Sequence, residues 1–192
     1  MKAVKNKGDK AIILLSGGID SAACVHYYLN QNFSIKGLFI DYGQIVKKIE
    51  YKSAEKIANH YQIGLDIVKV DIANKFGQGE IKGRNALFVI IALMKYTGFS
   101  GIISLGIHAG SNYYDTSEQF VADMNSLLAR YTDGTIQINA PFLKWQKPMI
   151  YEFCKANNVP THLTYSCEQG VKQPCGVCNS CLDRKVLNAS KK

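Results

Sequence analysis

Residues 10–21 have the sequence KAIILLSGGIDS, and the organisation of the whole chain can be worked out from this stretch. Its first six residues form a short apolar run that stops just before a pair of glycines, which is typical of a strand buried inside a sheet. Apolar side chains then recur at helical spacing in the residues that follow. We therefore predict a strand over 10–15, a tight loop, and a helix over 20–30.

The Ser-Gly-Gly-Ile-Asp-Ser string at this loop is suited to binding phosphate. Free backbone N–H groups and the positive end of the helix dipole both attract an anion at a helix N-terminus. Gly17 and Gly18 permit positive φ angles and a close approach of the main chain to phosphate oxygens, and the hydroxyls of Ser16 and Ser21 can donate hydrogen bonds. The carboxylate of Asp20 would repel phosphate, so it is better explained as a partner of Mg²⁺.

A purely structural explanation of the same loop is a strand-to-helix turn in which Asp20 or Ser21 caps the helix. That explanation accounts for one of these two residues but not for two serines flanking two glycines. The loop is also distinct from a P-loop, because no Gly-Lys-Ser/Thr follows the glycines.

The rest of the chain continues the alternation of strands and helices. Apolar runs predict further strands over 35–41, 65–70, 101–107 and 135–139, and apolar periodicity predicts helices over 44–61, 84–99, 115–131 and 148–157. Such alternation favours an α/β fold, in which one five-stranded parallel sheet is covered by helices on both faces. Ligands bind these sheets beyond the carboxyl ends of the strands, where the strand order reverses.

Two predicted helices have a distinct apolar face that we expect to pack against the sheet. In the helix over 44–61, the residues that recur every four positions are Ile45, Ile49, Ser53, Ile57 and Tyr61. In the helix over 115–131, the side chains expected to point inward are Phe120, Met124, Leu127, Leu128 and Tyr131.

Four of the six cysteines lie close together near the end of the chain, at Cys167, Cys175, Cys178 and Cys181. In a cytosolic protein such a cluster more often binds a metal than forms disulfides. Four thiolates suit a tetrahedral Zn²⁺ site with no open position for water, which is a structural site. The alternatives are an iron–sulfur cluster and reduced cysteines in a surface loop. The remaining two, Cys24 and Cys154, are expected to be small core residues.

The composition indicates a globular chain with one core. Its 192 residues are 47% apolar and 20% charged, close to the averages for globular proteins, which excludes a mainly disordered chain. The net charge of +8 is scattered along the chain and suits an anionic small molecule as well as a nucleic acid. The longest apolar run, 86–94, is too short to span a membrane. We predict a single cytoplasmic domain over 1–192, with residues 164–192 forming a zinc-binding segment within it.

The Ser-Gly-Gly-Ile-Asp-Ser string resembles the SGGxDS pyrophosphate loop of the ATP pyrophosphatase superfamily. This resemblance implies a five-stranded parallel sheet of the adenine-nucleotide α-hydrolase type, which is Rossmann-like. It also implies that ATP is cleaved between its α and β phosphates, so that an oxygen is adenylated and pyrophosphate is released. A nitrogen or sulfur nucleophile would then displace AMP.

Further strings narrow the resemblance to the 7-cyano-7-deazaguanine synthase family. They are, in family order, DYGQ at 41–44, GRN at 83–85, Lys147 before Pro148, TYSC at 164–167 and PCGVCNSCLDR at 174–184. The resemblance implies that the carboxylate of 7-carboxy-7-deazaguanine is adenylated and that ammonia converts it to an amide. A second ATP would activate the amide oxygen for loss, which leaves the nitrile. The implied partners are therefore ATP, Mg²⁺, ammonia and the deazaguanine acid, with a possible homodimer.

The resemblance also implies roles for individual residues. Those expected to hold the pyrophosphate, its Mg²⁺ and the adenine are Ser16, Gly17, Gly18, Asp20, Ser21, Phe39, Asp41, Tyr42 and Gln44. The candidate catalytic residues are Asp20, Arg84 and Lys147. The candidate substrate contacts are Arg84, Asn85, His108 and Asp115, of which His108 follows a predicted strand at the mouth of the site.

Structural explanations of several of these residues stay open. Arg84 can be a surface cation, and Lys147 a solvated residue before a proline. Tyr42 and Gln44 can be ordinary turn and helix-start residues. Asp115 together with Glu118 would make a capping-box-like helix start.

The chain departs from the family pattern at a few positions. Where the family follows Tyr-Gly-Gln with Arg-His and then a Glu, this chain has Ile45, Val46 and Ile49, so we expect a buried helix face and no polar groups there. Ser117 replaces an arginine of the family, and the loop at 71–82 is short for the family. A relative that transfers the activated acid to another amine is therefore a second hypothesis.

Two further functions compete with these ligase hypotheses. One is a tRNA-modifying ATP pyrophosphatase. This function is disfavoured, because one closed metal site would use all four clustered cysteines and leave none of them to carry sulfur. The other is a non-catalytic zinc-ribbon module that binds nucleic acid. The cysteine segment lacks the interleaved aromatic and basic residues that a base-stacking platform needs, so nucleic acid is not the expected partner.

Overall fold

The computed structural model describes residues 9–71, 81–110, 113–171 and 173–189. The strands are β1 (Lys10–Leu14), β2 (Ser34–Asp41), β3 (Gly64–Lys69), β4 (Gly101–Ser104) and β5 (Ile136–Asn139). The α-helices are α1 (Ile19–Leu29), α2 (Lys47–His60), α3 (Arg84–Lys95), α4 (Glu118–Thr132), α5 (Lys147–Ala156) and α6 (Asn179–Ala189). Most of the loop predicted over 71–82 lies outside the described residues.

The five strands form one parallel sheet in the order β3-β2-β1-β4-β5. The chain builds outward from β1 to β3 and then crosses back to β4 on the other side of β1. The strand order therefore reverses between β1 and β4, and a crevice opens at their carboxyl ends. This confirms the predicted α/β fold and places the glycine loop, which follows β1, at the switch point.

Helices cover both faces of the sheet and create two apolar cores. Ile13 of β1 belongs to the core that also contains Phe142 and Ile150, whereas the adjacent Ile12 belongs to the core with Leu128. This separation follows from the period of two in a strand, which sends successive side chains to opposite faces. Cys24 and Cys154 are buried in the first core, as predicted. No helix in the described part of the chain is long and apolar enough to cross a membrane.

Some elements begin or end at residues other than those predicted. β4 stops at Ser104, and residues 105–107 that follow it line the crevice. α2 begins at Lys47 rather than at residue 44, since residues before it form a turn. α4 begins at Glu118, with Ser117 as its cap: the Ser117 Oγ accepts a hydrogen bond from the Phe120 N–H at 3.1 Å. The capping-box explanation of Asp115 is therefore wrong.

Three residues expected on inward faces are exposed instead. Leu127 is 38% exposed, because it lies to one side of the core-facing row of α4, which runs through Phe120, Met124 and Leu128. Tyr131 is 70% exposed although its position is in line with this row, and it lies in the last turn of α4, which ends at Thr132. Ile45 is 64% exposed and precedes α2.

The core assignment on α4 can be tested by truncating one buried residue of the row and the exposed Tyr131 in the last turn. Leu128→Ala should lower the free energy of unfolding by about 2–5 kcal/mol, because the side chain is fully buried and leaves a cavity. Tyr131→Ala should change it by no more than about 0.5 kcal/mol. Urea unfolding measures both values, and comparable losses in the two variants would contradict the assignment.

Candidate functional site

The glycine loop leaves the N-terminus of α1 without a side-chain cap. Gly18 is the N-cap residue and has no side chain to cap the helix, while its own N–H donates to the Ser16 Oγ at 3.4 Å. The serines instead bind within the loop: the Ser21 Oγ donates to the Gly18 carbonyl at 2.9 Å, and the two hydroxyl oxygens of Ser16 and Ser21 lie 3.2 Å apart. The alternative in which Asp20 or Ser21 caps the helix is thus wrong, and the N-terminal amides stay available to an anion.

Two glycines let other elements approach this loop closely. Gly17 has a φ of 86°, and a Cβ on it would lie 2.4 Å from the carbonyl oxygen of Glu50 in α2. A Cβ on Gly106, just beyond β4, would lie 2.9 Å from the backbone nitrogen of Ser21. Our sequence reasoning missed Gly106, although a glycine near the end of the predicted strand over 101–107 was a usable signal.

Asp20 and Lys147 form an ion pair at the mouth of the crevice. The Lys147 Nζ donates to the Asp20 Oδ2 at 2.5 Å, and the two side chains are 23% and 21% exposed for Lys147 and Asp20 respectively. The other carboxylate oxygen, Oδ1, is buried and has no hydrogen-bond partner among the described residues. A free carboxylate oxygen beside an uncapped helix N-terminus fits a Mg²⁺ ion that accompanies phosphate.

A cavity of about 230 Å³ lies at the carboxyl ends of β1, β2 and β4. The predicted site residues that line it are Ser16, Asp20, Ser21, Phe39, Tyr42, Gln44, Arg84 and Asn85. The structure also places Glu50, Phe88 and Gly106 on its wall, none of which the sequence analysis assigned to the site. Residues from β1, the two helices α2 and α3, and the segment after β4 therefore meet around one space.

Gln44 is buried, and its side-chain hydrogen bonds orient Glu50. Its side-chain Oε1 accepts from the Tyr42 N–H at 3.0 Å, and its Nε2 donates to the Ile40 carbonyl at 3.2 Å. The same Nε2 donates to the Glu50 Oε2 at 3.1 Å. Burial raises the pKa of Glu50, and the Gln44 hydrogen bond and the Arg84 charge oppose that rise.

The expectation that this part of the site has no polar group is wrong. Glu50 stands one position after the place where the family pattern has its glutamate, and this offset was the signal available in the sequence. Val46 and Ile49 pack against the cysteine cluster rather than lining the cavity. Val46 and Ile49 thus pack the start of α2 against the C-terminal segment.

Arg84 is the first residue of α3 and points a partly buried guanidinium into the cavity. Its Nε is buried and has no hydrogen-bond partner within the described residues. The ring of Tyr42 lies 5.1 Å from that of Phe88, so the two form an aromatic wall beside the guanidinium. Burial raises the pKa of Tyr42, while the Arg84 charge opposes the rise.

Asn85 and Asp115 are brought together, but only Asn85 lines the cavity. The Asp115 Oδ2 accepts from the Asn85 backbone N–H at 3.3 Å, and the Asn85 Nδ2 donates to the Asp115 carbonyl at 2.8 Å. Both residues are buried. A carboxylate at the N-terminus of α3 stabilises that helix end electrostatically, so Asp115 helps to hold α3 in place.

Asp41 and His108 lie at the edges of the site. The Asp41 Oδ1 accepts from the Gly43 N–H at 3.1 Å and pairs with the Lys47 Nζ at 3.3 Å, so this carboxylate stabilises the turn before α2. The His108 Nδ1 accepts from the Gly110 N–H at 2.9 Å, which leaves the proton of the neutral ring on Nε2. Burial lowers the pKa of His108.

The four clustered cysteines lie close enough together to hold one metal ion. Their Sγ atoms all lie within 4.8 Å of one another, and all four are free thiols. The backbone N–H of Cys175 donates to the Cys167 Sγ and that of Cys178 to the Cys175 Sγ, each at 3.4 Å. Backbone N–H groups of Val177 and Cys178 lower the pKa of Cys175 to about 6, which favours the thiolate that a metal binds.

The cysteine segment is attached directly to the glycine loop. The backbone N–H of Tyr165 donates to the Gly17 carbonyl at 2.9 Å. The guanidinium of Arg184, in α6, donates to the Thr161 carbonyl and to the Thr164 hydroxyl, at 2.9 and 2.8 Å. Folding of the cysteine segment therefore stabilises the glycine loop.

The fold and the site together define an α/β protein of the adenine-nucleotide α-hydrolase class. Solved structures agree at the level of fold. The U34-tRNA thiolase NcsA from Methanococcus maripaludis, with its [4Fe-4S] cluster, has a TM-score of 0.56 at 15% identity over 98% of this chain and 67% of its own. NMN synthetase from Francisella tularensis has a TM-score of 0.53 at 17% identity over 95% of this chain and 85% of its own.

A family model described as "Queuosine biosynthesis protein QueC" matches residues 10–82 and 78–189. A 7-cyano-7-deazaguanine synthase of Prochlorococcus marinus subsp. pastoris is 33% identical, covering 95% of this chain and 94% of the relative. The enzyme of the same description from Picrophilus torridus is 31% identical, covering 91% and 85%. The chain belongs to the QueC family, as the sequence resemblance predicted, and its relatives are named as synthases.

The cost of burying Glu50 gives a prediction about stability and pH. Glu50→Gln should raise the free energy of unfolding at pH 7, because an amide avoids the desolvation that raises the pKa of this carboxyl. Since the folded-state pKa is raised, the contribution of the carboxyl to stability is fully present below its usual value of 4.5 and is lost as the pH rises through the folded-state pKa. The advantage of the variant should therefore shrink in acid.

Urea unfolding at pH 7 and pH 4.5 measures this difference. Glu55→Gln is the matched control, because Glu55 lies on the exposed side of the same helix. The control should behave like the wild type at both pH values. A Glu50→Gln variant less stable than the wild type at pH 7 would show that the carboxylate is stabilised rather than strained by its surroundings.

Proposed function

We propose that this enzyme uses ATP to activate the carboxylate of a 7-carboxy-7-deazaguanine-like substrate, which ammonia then converts to the amide and finally to the nitrile. Membership of the QueC family supports the proposal. The observation that carries it is the N-terminus of α1, which has no side-chain cap, with the Asp20 Oδ1 beside it at the switch point of the sheet; this oxygen has no hydrogen-bond partner within the described ranges. Both features suit a magnesium-bound polyphosphate.

The proposed chemistry divides a difficult substitution into steps with a good leaving group. A carboxylate oxygen attacks the α-phosphorus of ATP, the α–β bond breaks, and pyrophosphate leaves. Ammonia then adds to the carbonyl carbon, and AMP departs with loss of a proton, giving the amide. With a second ATP the amide oxygen attacks the α-phosphorus and pyrophosphate leaves, and loss of AMP and of both protons of the amide nitrogen then forms the nitrile.

The protein contributes mainly alignment and charge neutralisation. The backbone at Gly17 and Gly18 and the hydroxyls of Ser16 and Ser21 would hold the pyrophosphate. Asp20 would hold Mg²⁺, which when bound neutralises phosphate charge. Lys147 is already fixed beside Asp20, so a cation stands near the same phosphates without reorganisation. Arg84, with its free Nε, would face the substrate.

We further propose that the cysteine cluster binds structural Zn²⁺. Four sulfurs at about 2.3 Å from one ion lie about 3.8 Å apart in a tetrahedron. A greatest separation below 4.8 Å suits such a single ion, whereas an iron–sulfur cube holds its cysteines further apart. All four positions are thiolates, which leaves no site for a reacting water.

A second candidate function is the transfer of the activated acid to a larger amine. It is favoured by the replacement of the family's Arg-His pair with Ile45 and Val46, which removes two polar groups. Ile45 is exposed and lies beside Gly170, so the surface at this place is apolar where the family pattern would make it charged. The first steps, through the adenylate, are the same in both candidates.

Incubation with the deazaguanine acid, ATP, Mg²⁺ and ammonia tests the proposed reaction. We expect pyrophosphate release and a product with the mass of the nitrile. Asp20→Asn should lower the rate by about 10²–10³-fold with the fold intact, because the amide is a weaker Mg²⁺ ligand and loses the charge that Lys147 pairs with. Asp123→Asn, on the exposed surface of α4, serves as the control and should react normally.

Mass spectrometry and a pyrophosphate assay give the two readouts. A reaction that stops at the adenylate and proceeds only with another amine would favour the second candidate. Normal pyrophosphate release by Asp20→Asn, or no turnover of the acid by the wild type, would refute the proposed function.

Metal analysis and thermal unfolding test the zinc site. We expect about one zinc per chain, and loss of zinc and of folded protein in Cys178→Ser, because the segment around the cysteines has few other buried contacts. Cys154→Ala removes a buried thiol outside the cluster and should keep its zinc. Iron and sulfide in place of zinc, or a stable metal-free protein, would contradict the assignment.

A further inference from the structure

Glu50 is a charged cavity residue to which the proposed reaction gives no part. It lines the cavity at the base of α2, and its Oε2 accepts a hydrogen bond from Gln44. Gln44 is itself fixed by the Ile40 carbonyl and the Tyr42 N–H and is only 5% exposed. The carboxylate therefore has one oxygen held by a rigid buried amide and is oriented with respect to the cavity.

A role in helix stability alone does not explain this position. An acidic residue in the first turn of a helix interacts favourably with the helix dipole, and Glu50 lies in the first turn of α2. That benefit does not require burial, and the neighbouring position of Lys48 is exposed and would supply it at no desolvation cost. A partly buried carboxylate facing a cavity is instead typical of a binding group.

Arg84 faces the same cavity, and the two opposite charges do not meet. The charge of Arg84 acts on Glu50, yet none of the ion pairs within 4.0 Å among the described residues joins them. The Nε of Arg84 is buried and has no hydrogen-bond partner among the residues that the structure describes, although the Tyr42 side chain contacts the same guanidinium. A ligand that lies between them, with N–H donors on one edge and an anionic group on the other, would satisfy both charges.

The wall between these charges suits a flat ring. Tyr42 and Phe88 form its aromatic part, and the side chains of Leu38 and Ile40 add apolar surface. A planar heterocycle can pack on such a wall while its polar edges reach Glu50 and Arg84.

We propose that Glu50 is a specificity-determining residue, whose carboxylate accepts N–H hydrogen bonds from the edge of a guanine-like base that carries a ring N–H next to an exocyclic amine. Arg84 pairs with the carboxylate on the same ligand. This inference rests on the proposed function and deepens it, and it assigns Tyr42 and Gln44 to the substrate base instead of to ATP, to which the family resemblance assigned them. Adenine offers an amine beside an acceptor nitrogen on the comparable edge, and that nitrogen would repel the Glu50 carboxylate, so the pair selects against adenine-like bases.

Calorimetric titration of three proteins tests this role: the wild type, Glu50→Gln and the exposed control Glu55→Gln. The probes are the deazaguanine acid, the same acid lacking the exocyclic amine, and magnesium ATP. Glu50→Gln should bind the deazaguanine acid about 10- to 100-fold more weakly, while its affinity for ATP changes by less than about twofold. The wild type should prefer the acid with the amine by at least about tenfold, and the variant should lose most of that preference.

The selectivity ratio separates a binding role from a structural one, since a general loss of structure would not change it. Glutamine has the shape of glutamate, and the variant is expected to fold with increased stability. Unchanged affinity for the acid in Glu50→Gln overturns this inference and leaves the proposed function standing. An equal loss of ATP affinity, or the same effect in Glu55→Gln, also overturns it. If the wild type does not bind the acid, both the inference and the proposed function fail.

Discussion

The left-handed turn at Gly17 is the constraint on which the rest of the site depends. Three separate parts of the chain come together at this residue: α1 begins just after it, the backbone of α2 presses against its missing side chain, and Tyr165 of the cysteine segment binds its carbonyl. Any Cβ here would meet the Glu50 carbonyl at 2.4 Å. A larger residue would therefore move α2 away and open the cavity wall together with the loop.

Two pairs of opposite charges divide the cavity between them. Asp20 and Lys147 are in direct contact at the uncapped helix end, whereas Glu50 and Arg84 are held apart, each on its own helix. In the proposed reaction the closed pair would hold the phosphates and their metal, because its charges are already in place. The open pair leaves the buried Nε of Arg84 without a hydrogen-bond partner among the described residues, and a bound ligand would supply one. The proposed roles thus separate activation of the acid from recognition of its base.

The cysteine segment belongs to the site through backbone contacts rather than through its own chemistry. Its apolar interior continues into Val46 and Ile49 at the start of α2, and its first residues lie over the glycine loop. A metal bound by the four thiolates would order both contacts at once, since a short segment with few apolar residues cannot do so alone. This arrangement also explains why the chain has apolar residues where the family pattern has polar ones.

The sequence alone determined the alternating elements, the parallel sheet, the glycine loop, the cysteine cluster and the family, because all of these depend on patterns between neighbours along the chain. It placed Lys147 and Arg84 in the site only by resemblance. The contact between Asp20 and Lys147 joins residues 127 positions apart, and the roles of Glu50 and Gly106 depend on how α2 and β4 pack against the loop. Exposure of Tyr131 and Ile45 was likewise set by where α4 ends and where α2 begins. Tertiary structure decided these features, because packing between distant elements fixes which side chains share a cavity, and no local periodicity records that choice.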